Sequence, residues 1–151
     1  VTDFGYSTYY FQDNDLIQLP KSKPWYAPEY KNSEVTPAEA HEMDVFSLGM
    51  LFFWLIFERY LSGMEPLPAE IQWAHLPLQR GQDTYLWNIL EELKNNDSLV
   101  LLAHQLLMIH DGLQPERREA LKDLFSMSLV SDPKLRIDDV DQLLKRLGPN
   151  W

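Results

Sequence analysis

Few side chains in this sequence have the type and spacing to do chemistry. His41, His75, His104 and His110 lack the mutual spacing and the carboxylate company of a metal site, so ordinary surface or partly buried roles fit them better. No cysteine is present, which removes disulfides, thiolate nucleophiles and cysteine-based zinc sites. No Gly-rich loop offers backbone amides to a phosphate, and no strained turn presents a nucleophilic serine. Carboxylates and one guanidinium remain. Asp3 stands in Asp3-Phe4-Gly5, which alone fits an exposed turn. Glu29 follows Trp25 and Tyr26, and Arg136 sits between Leu135 and Ile137, so both are charges among apolar neighbours. Asp44 opens a long apolar run, where the helix dipole favours a negative group.

Proline marks out the elements that must position these groups. The stretches free of proline carry helical periodicity, because proline lacks the N–H that a helix interior needs. The first 35 residues read as mostly irregular, with short strands expected at 8–11 and 16–19. Thr36-Pro37-Ala38-Glu39 is a capping box with proline at the first helical position. A helix starting there either breaks before Asp44 or runs on. From Asp44 to about Arg59 the residues are apolar nearly all round, which predicts a central helix enclosed by protein. Residues 62–82, punctuated by Gly63, Pro66, Pro68, Pro77 and Gly81, read as a loop. Four further helices are expected. Thr84 would cap one bearing Leu86, Ile89, Leu90 and Leu93, and Ser98 the next, bearing Leu99, Leu102, Ala103, Leu106 and Leu107. Pro115 opens one with Leu121, Leu124, Phe125 and Leu129 inward, and Asp138 would cap the last, with Val140, Leu143, Leu144 and Leu147.

The 151 residues are 45% hydrophobic, enough for one ordinary core and against wholesale disorder. A formal charge of −10 argues against a general nucleic-acid or anionic-membrane surface. The longest apolar stretch, 48–57, is too short to span a bilayer, and no signal-like leader opens the sequence, so no membrane role is expected. With the lack of cysteine, this fits a cytoplasmic protein.

Four short signals gain meaning from their order. Asp3-Phe4-Gly5 comes first, then Ala27-Pro28-Glu29, then Asp44-Val45-Phe46-Ser47-Leu48-Gly49 at the start of the apolar helix. Leu129-Val130-Ser131-Asp132-Pro133-Lys134-Leu135-Arg136 precedes the last helix. Any one tripeptide turns up by chance in about one or two per cent of chains this long, so each alone is weak. Together they resemble the protein kinase family, from its D-F-G motif to the end of the catalytic domain. The resemblance is dense at 3–5, 25–29, 44–55 and 121–137 and thin between 58 and 115. The lead-in Lys23-Pro24-Trp25-Tyr26 resembles a fungal branch.

The resemblance implies a mainly α fold: the helical C-terminal lobe of a kinase-like α+β domain, with 1–29 as activation segment and 36–151 as lobe. Asp3 would then bind Mg²⁺ bridging the phosphates of ATP, with Phe4 as an apolar plug and Gly5 as a flexible joint. Glu29 and Arg136 would form a buried ion pair tying the activation segment to the lobe; otherwise they are two unrelated surface charges. Asp44 would accept hydrogen bonds from a catalytic-loop backbone, and Leu51 and Leu55 would anchor internal hydrophobic columns, though a plain core also places leucines there. Ser22 resembles the hydroxyl of Ser/Thr-specific members, whereas Trp25 resembles the tyrosine-specific pattern, so acceptor choice leans to Ser/Thr. Lys21 departs from the usual glycine, leaving the shape of that loop open. Ser7, Thr8, Tyr9 and Tyr10 would be phosphorylation sites or simply polar loop residues.

The family transfers the γ-phosphate of ATP to protein hydroxyls, using a Gly-rich loop, a strand lysine and an H-R-D-x-x-x-x-N catalytic loop. None of these occurs in the 151 residues. The expectation is therefore a kinase fragment, inactive alone and not binding ATP and Mg²⁺ alone, with a missing lobe or a partner covering its apolar surface. Its partner in the complete kinase would be a protein substrate. A non-catalytic kinase-like interaction module is the alternative, and an unrelated helical scaffold the third reading.

Overall fold

The computed structural model describes residues 11–30, 34–62, 64–65, 71, 83–95 and 97–148. These are mainly helical, with no strand among them. In place of the strand expected at 16–19, only Ile17 pairs, in a single antiparallel bridge with Val35. Both residues are buried, so this one bridge ties the irregular segment to the start of the first helix.

Helix α1 spans Pro37–Leu61. Its start is the capping box: Glu39 N–H donates to Thr36 Oγ1 (3.3 Å), and Thr36 N–H donates to Glu39 Oε2 (2.8 Å). No break occurs before Asp44, because the one proline of α1, Pro37, stands at its first position, where an N–H would have no partner within the helix. Phe46, Met50, Phe53 and Phe57 are fully buried along one face. Enclosure on all sides, as expected from composition, is not observed. Leu51 is 43% exposed and Leu55 62% exposed, on the stripe that begins at Asp44. With 25 residues, α1 is also longer than its ten-residue apolar run, and by length and composition alone it could cross a bilayer. Core helices of soluble proteins pass the same test, and 44% of its most apolar window is buried within this protein.

Helices α2 (Asp83–Lys94), α3 (Ser98–Ile109), α4 (Pro115–Ser128) and α5 (Val140–Leu147) follow, with a 3₁₀ turn at Pro133–Leu135 before α5. α4 packs on α1, α3 and α5, and α3 also meets α2. The centre is aromatic: Phe53, Phe57 and Phe125 lie with ring centroids 5.3 to 6.1 Å apart. The α1–α4 crossing is tight at Gly49, where a Cβ would stand 2.3 Å from Ser128 Oγ.

Two caps differ from expectation by one residue. Ser98 is the first residue of α3, and the cap position is Asp97, in the left-handed region at φ 57°. The Asp97 carboxylate is drawn away from the helix to accept from the Ser131 N–H at 2.6 Å. At α5 the cap is Asp139 rather than Asp138, its Oδ1 accepting from Asp141 N–H at 2.8 Å. Helix α2 begins at Asp83, so Thr84 lies inside it rather than capping it. Of the α5 stripe only Leu143 is fully buried; Leu144 is 42% exposed.

Candidate functional site

Residues 19–30 form an irregular strap across the N-terminal half of α1. Short turns give it local shape: Trp25 and Tyr26 N–H both donate to the Ser22 carbonyl, and Tyr30 N–H donates to that of Ala27. Such turns alone would not hold a loop against its conformational entropy. Long-range groups fix it instead.

The first is the Glu29–Arg136 pair, separated by 107 positions. Arg136 Nη1 donates to Glu29 Oε1 at 2.5 Å and Nη2 to Oε2 at 2.8 Å, the bidentate arrangement that suits a planar guanidinium. Its other three N–H groups go to backbone carbonyls: Nε to Val130 (3.0 Å), Nη1 to Glu42 (3.2 Å) and Nη2 to Ser131 (3.1 Å). All five guanidinium donors are thus satisfied. The group also lies 4.9 Å from the Phe46 ring centroid. The Arg136 side chain is wholly buried and that of Glu29 keeps 21% of its surface.

The second fastening is Lys94, which sequence reasoning missed. It is 1% exposed at the end of α2. Its ammonium donates to the carbonyl of Pro24, to that of Tyr26 (3.0 Å) and to Glu91 Oε1 (2.9 Å), using its three donors. Desolvation pulls its pKa below the ordinary lysine value, against the pull of Glu91. Glu91 Oε2 in turn accepts from the Tyr26 hydroxyl at 2.5 Å. Burial and this carboxylate push the phenol up to about 12. A sequence signal did exist: Lys94 falls four positions after inward Leu90, on the apolar face of its helix.

A third fastening comes from α1. The Ser47 hydroxyl lies 3.0 Å from the Trp25 carbonyl and 3.0 Å from that of Met43. The Trp25 ring meets Trp54 edge-on at 6.1 Å, and the Tyr30 hydroxyl donates to the Leu19 carbonyl at 2.8 Å.

Between the strap and α1 lies a cavity of about 180 Å³, walled by Leu19, Trp25, Tyr26, Tyr30 and Met43, with Ser22 and Asp44 among its polar groups. Asp44 is exposed as a whole and accepts no hydrogen bond from a described residue. Protein around the carboxyl still raises its pKa by desolvation, with His41 opposing. Ser22 is exposed, and its carbonyl closes the Trp25–Tyr26 turn.

The structure therefore brings Ser22, Trp25, Glu29, Asp44 and Arg136 to one end of α1. Leu51 and Leu55 stand further along that helix, partly in contact with solvent. Asp3, Phe4, Gly5, Ser7, Thr8, Tyr9 and Tyr10 lie outside the described residues. Among the described residues no group of three His, Cys, Asp or Glu side chains could hold a metal ion. Ser126 Oγ lies 3.0 Å from His104 Nε2, but the two are not a nucleophile and base. The same nitrogen faces the Lys122 carbonyl at 3.3 Å, and a carbonyl only accepts, so that nitrogen carries the proton.

Comparison with protein-family models, with curated proteins and with solved structures finds no match to this chain.

Proposed function

We propose that these residues are part of a protein kinase, contributing the end of the activation segment and the helical lobe to a domain that transfers the γ-phosphate of ATP to protein Ser/Thr hydroxyls. The observation that carries the reading is the bidentate Glu29–Arg136 pair. Two motifs chosen for their order along the chain, more than a hundred residues apart, meet in one buried contact. The strap bearing Ser22 and Trp25 lies beside Asp44, where a substrate-docking loop would stand against a catalytic loop. Asp3 would contribute a Mg²⁺ ligand, a hard carboxylate oxygen suited to a hard cation. A cytoplasmic location belongs to the same reading.

The 151 residues hold no Gly-rich loop and no H-R-D-x-x-x-x-N, and among the described residues no strand lysine pairs with a helix glutamate. Phosphoryl transfer depends on those groups for positioning and charge stabilisation, so this polypeptide alone transfers no phosphate. Two measurements test the proposal. Incubated with labelled ATP, Mg²⁺ and a mixed protein substrate, the purified chain leaves the protein unlabelled; robust labelling would refute its inactivity. Reading the encoding DNA ahead of the Val1 codon is the decisive test of ancestry. An in-frame catalytic loop and Gly-rich loop are expected. A degenerate catalytic loop there would favour a non-catalytic module, and unrelated sequence would overturn the kinase assignment.

A further inference from the structure

We propose that the strap around Ser22 is a docking site for an acidic peptide segment, whose carboxylates meet the ammonium groups of Lys21 and Lys23. Only the peptide's role as a phosphorylation substrate rests on the kinase reading; the docking does not need it.

The argument starts from charge. The chain carries −10 overall, yet Lys21 and Lys23 lie on the strap and Lys94 of α2 reaches it, while the carboxylates there, Glu91 and Glu29, are paired with Lys94 and Arg136. Lys94 and Glu91 neutralise each other. Lys21 and Lys23 are exposed, and neither forms an ion pair with a described residue. The Lys21 ammonium instead lies 4.9 Å from the Tyr26 ring centroid and 5.8 Å from that of Tyr30. Lys23 is near enough to Lys94 to depress its pKa further. At physiological ionic strength charges are screened beyond about 8 Å, so an approaching ligand meets this local positive sign rather than the distant negative total. Asp44 borders the same cavity, so the ligand's carboxylates belong over Lys21 and Lys23 and its apolar side chain in the cavity.

The backbone that carries these lysines is already held. Ser22, between them, closes a turn through its carbonyl, and the residues on either side are fastened by the Tyr30 hydroxyl and the Lys94 ammonium. A ligand therefore finds the two charges positioned before it arrives, which lowers the ordering cost of binding. The adjoining cavity, walled by Leu19, Pro20, Trp25 and Tyr26, gives room for an apolar side chain next to the acidic ones. A nucleic acid fits less well. Two free ammonium groups on an acidic protein do not make the basic stripe that tracks a phosphate backbone.

The test uses the full 151-residue chain and fluorescein-labelled peptides in an anisotropy titration. One peptide is Asp/Glu-rich with a single Phe; its counterpart carries Asn and Gln at the acidic positions. The acidic peptide should bind about tenfold more tightly, as two partly exposed ion pairs would give. That advantage should vanish in the Lys21→Glu/Lys23→Glu double variant, shrink in Lys21→Gln/Lys23→Gln, and persist in Lys145→Glu on α5. It should also fade as NaCl is raised from about 50 to about 300 mM. Because Lys21 and Lys23 are exposed, circular dichroism should show unchanged folding in both double variants. Equal binding of the two peptides would overturn the proposal. So would an equal loss in Lys145→Glu, or equally tight binding of a single-stranded oligonucleotide of the same charge. None of these results bears on the DNA test of ancestry, so the two readings fail separately.

Discussion

Removing the Arg136 guanidinium probes the frame of the whole site. Arg136→Met keeps most of the apolar stem but deletes five donors, leaving the carbonyls of Glu42, Val130 and Ser131 and both oxygens of Glu29 without them. Breaking one side of a buried pair typically costs about 3–5 kcal/mol, because the remaining charge is stranded. Glu29 keeps 21% of its side-chain surface, so water can partly resolvate it, which favours the low end, about 3 kcal/mol. For a chain of this length that lowers Tm by about 6–12 °C.

Urea unfolding followed by circular dichroism measures the loss, with the m-value checked for constancy. Arg136→Lys should fall between wild type and Arg136→Met, since three donors on a point charge cannot reproduce a five-donor fork. The Glu29→Gln/Arg136→Met double variant closes a thermodynamic cycle. Its cost should be clearly less than the sum of the two single losses, because each single change already strands the partner. A loss under about 1 kcal/mol in Arg136→Met, or strictly additive single losses, would refute the claim that this contact holds the strap to the helices.

Lys94→Met should destabilise by about 2–4 kcal/mol, by leaving the Pro24 and Tyr26 carbonyls and Glu91 Oε1 without this donor, and should raise amide hydrogen exchange at Trp25 and Tyr26. Its folded pKa lies below the unfolded one, so the unfolded state holds more protons between the two values. The stability of the wild type relative to Lys94→Met should therefore rise with pH across that window, below pH about 10.4, and a flat difference would contradict this. Asp44→Asn should stabilise slightly at pH 7, because the carboxylate is held in a site that disfavours its charge. The folded pKa is raised, so the gain should vanish as pH falls below about 3.8 and Asp44 protonates in both states; a gain that grew on acidification would sink the reasoning. Gly49→Ala should cost about 1–3 kcal/mol by forcing α1 and α4 apart, with the loss largely reversed by adding Ser128→Gly, since both Oγ and Cβ of Ser128 stand within 2.7 Å of the new methyl.

What the sequence made legible follows from how local each cause is. The start of α1 was readable because Thr36, Pro37 and Glu39 complete a capping box within four residues. The inward face of α3 was readable because an apolar stripe at helical spacing needs no knowledge of its partner. The α3 cap was missed by one residue because Asp97 is claimed by Ser131, 34 positions away, which no local rule anticipates. Lys94 was missed for the same reason: two carbonyls some seventy positions earlier decide that an ammonium is buried. The solvent-facing Leu51 and Leu55 belong to the apolar surface for which the sequence reading expects a missing lobe or a partner; composition told that α1 was apolar all round, but not which stripe the packed helices would leave open.

Arg136, Lys94 and Ser47 act on one short stretch from three directions. Arg136 holds its C-terminal end through Glu29, Lys94 its middle through two carbonyls, and Ser47 the carbonyl of Trp25 between them. Ordering a residue of backbone costs roughly 1–2 kcal/mol, and the strap has little regular structure of its own to offset that. Side chains from three separate helical or turn elements supply what a β-ladder or helix would otherwise supply. The same fastening bears on the proposed docking. A loop fastened at its carbonyls leaves its outward side chains, Lys21, Ser22 and Lys23, free to meet another molecule, while the backbone beneath them stays in register with the cavity and Asp44.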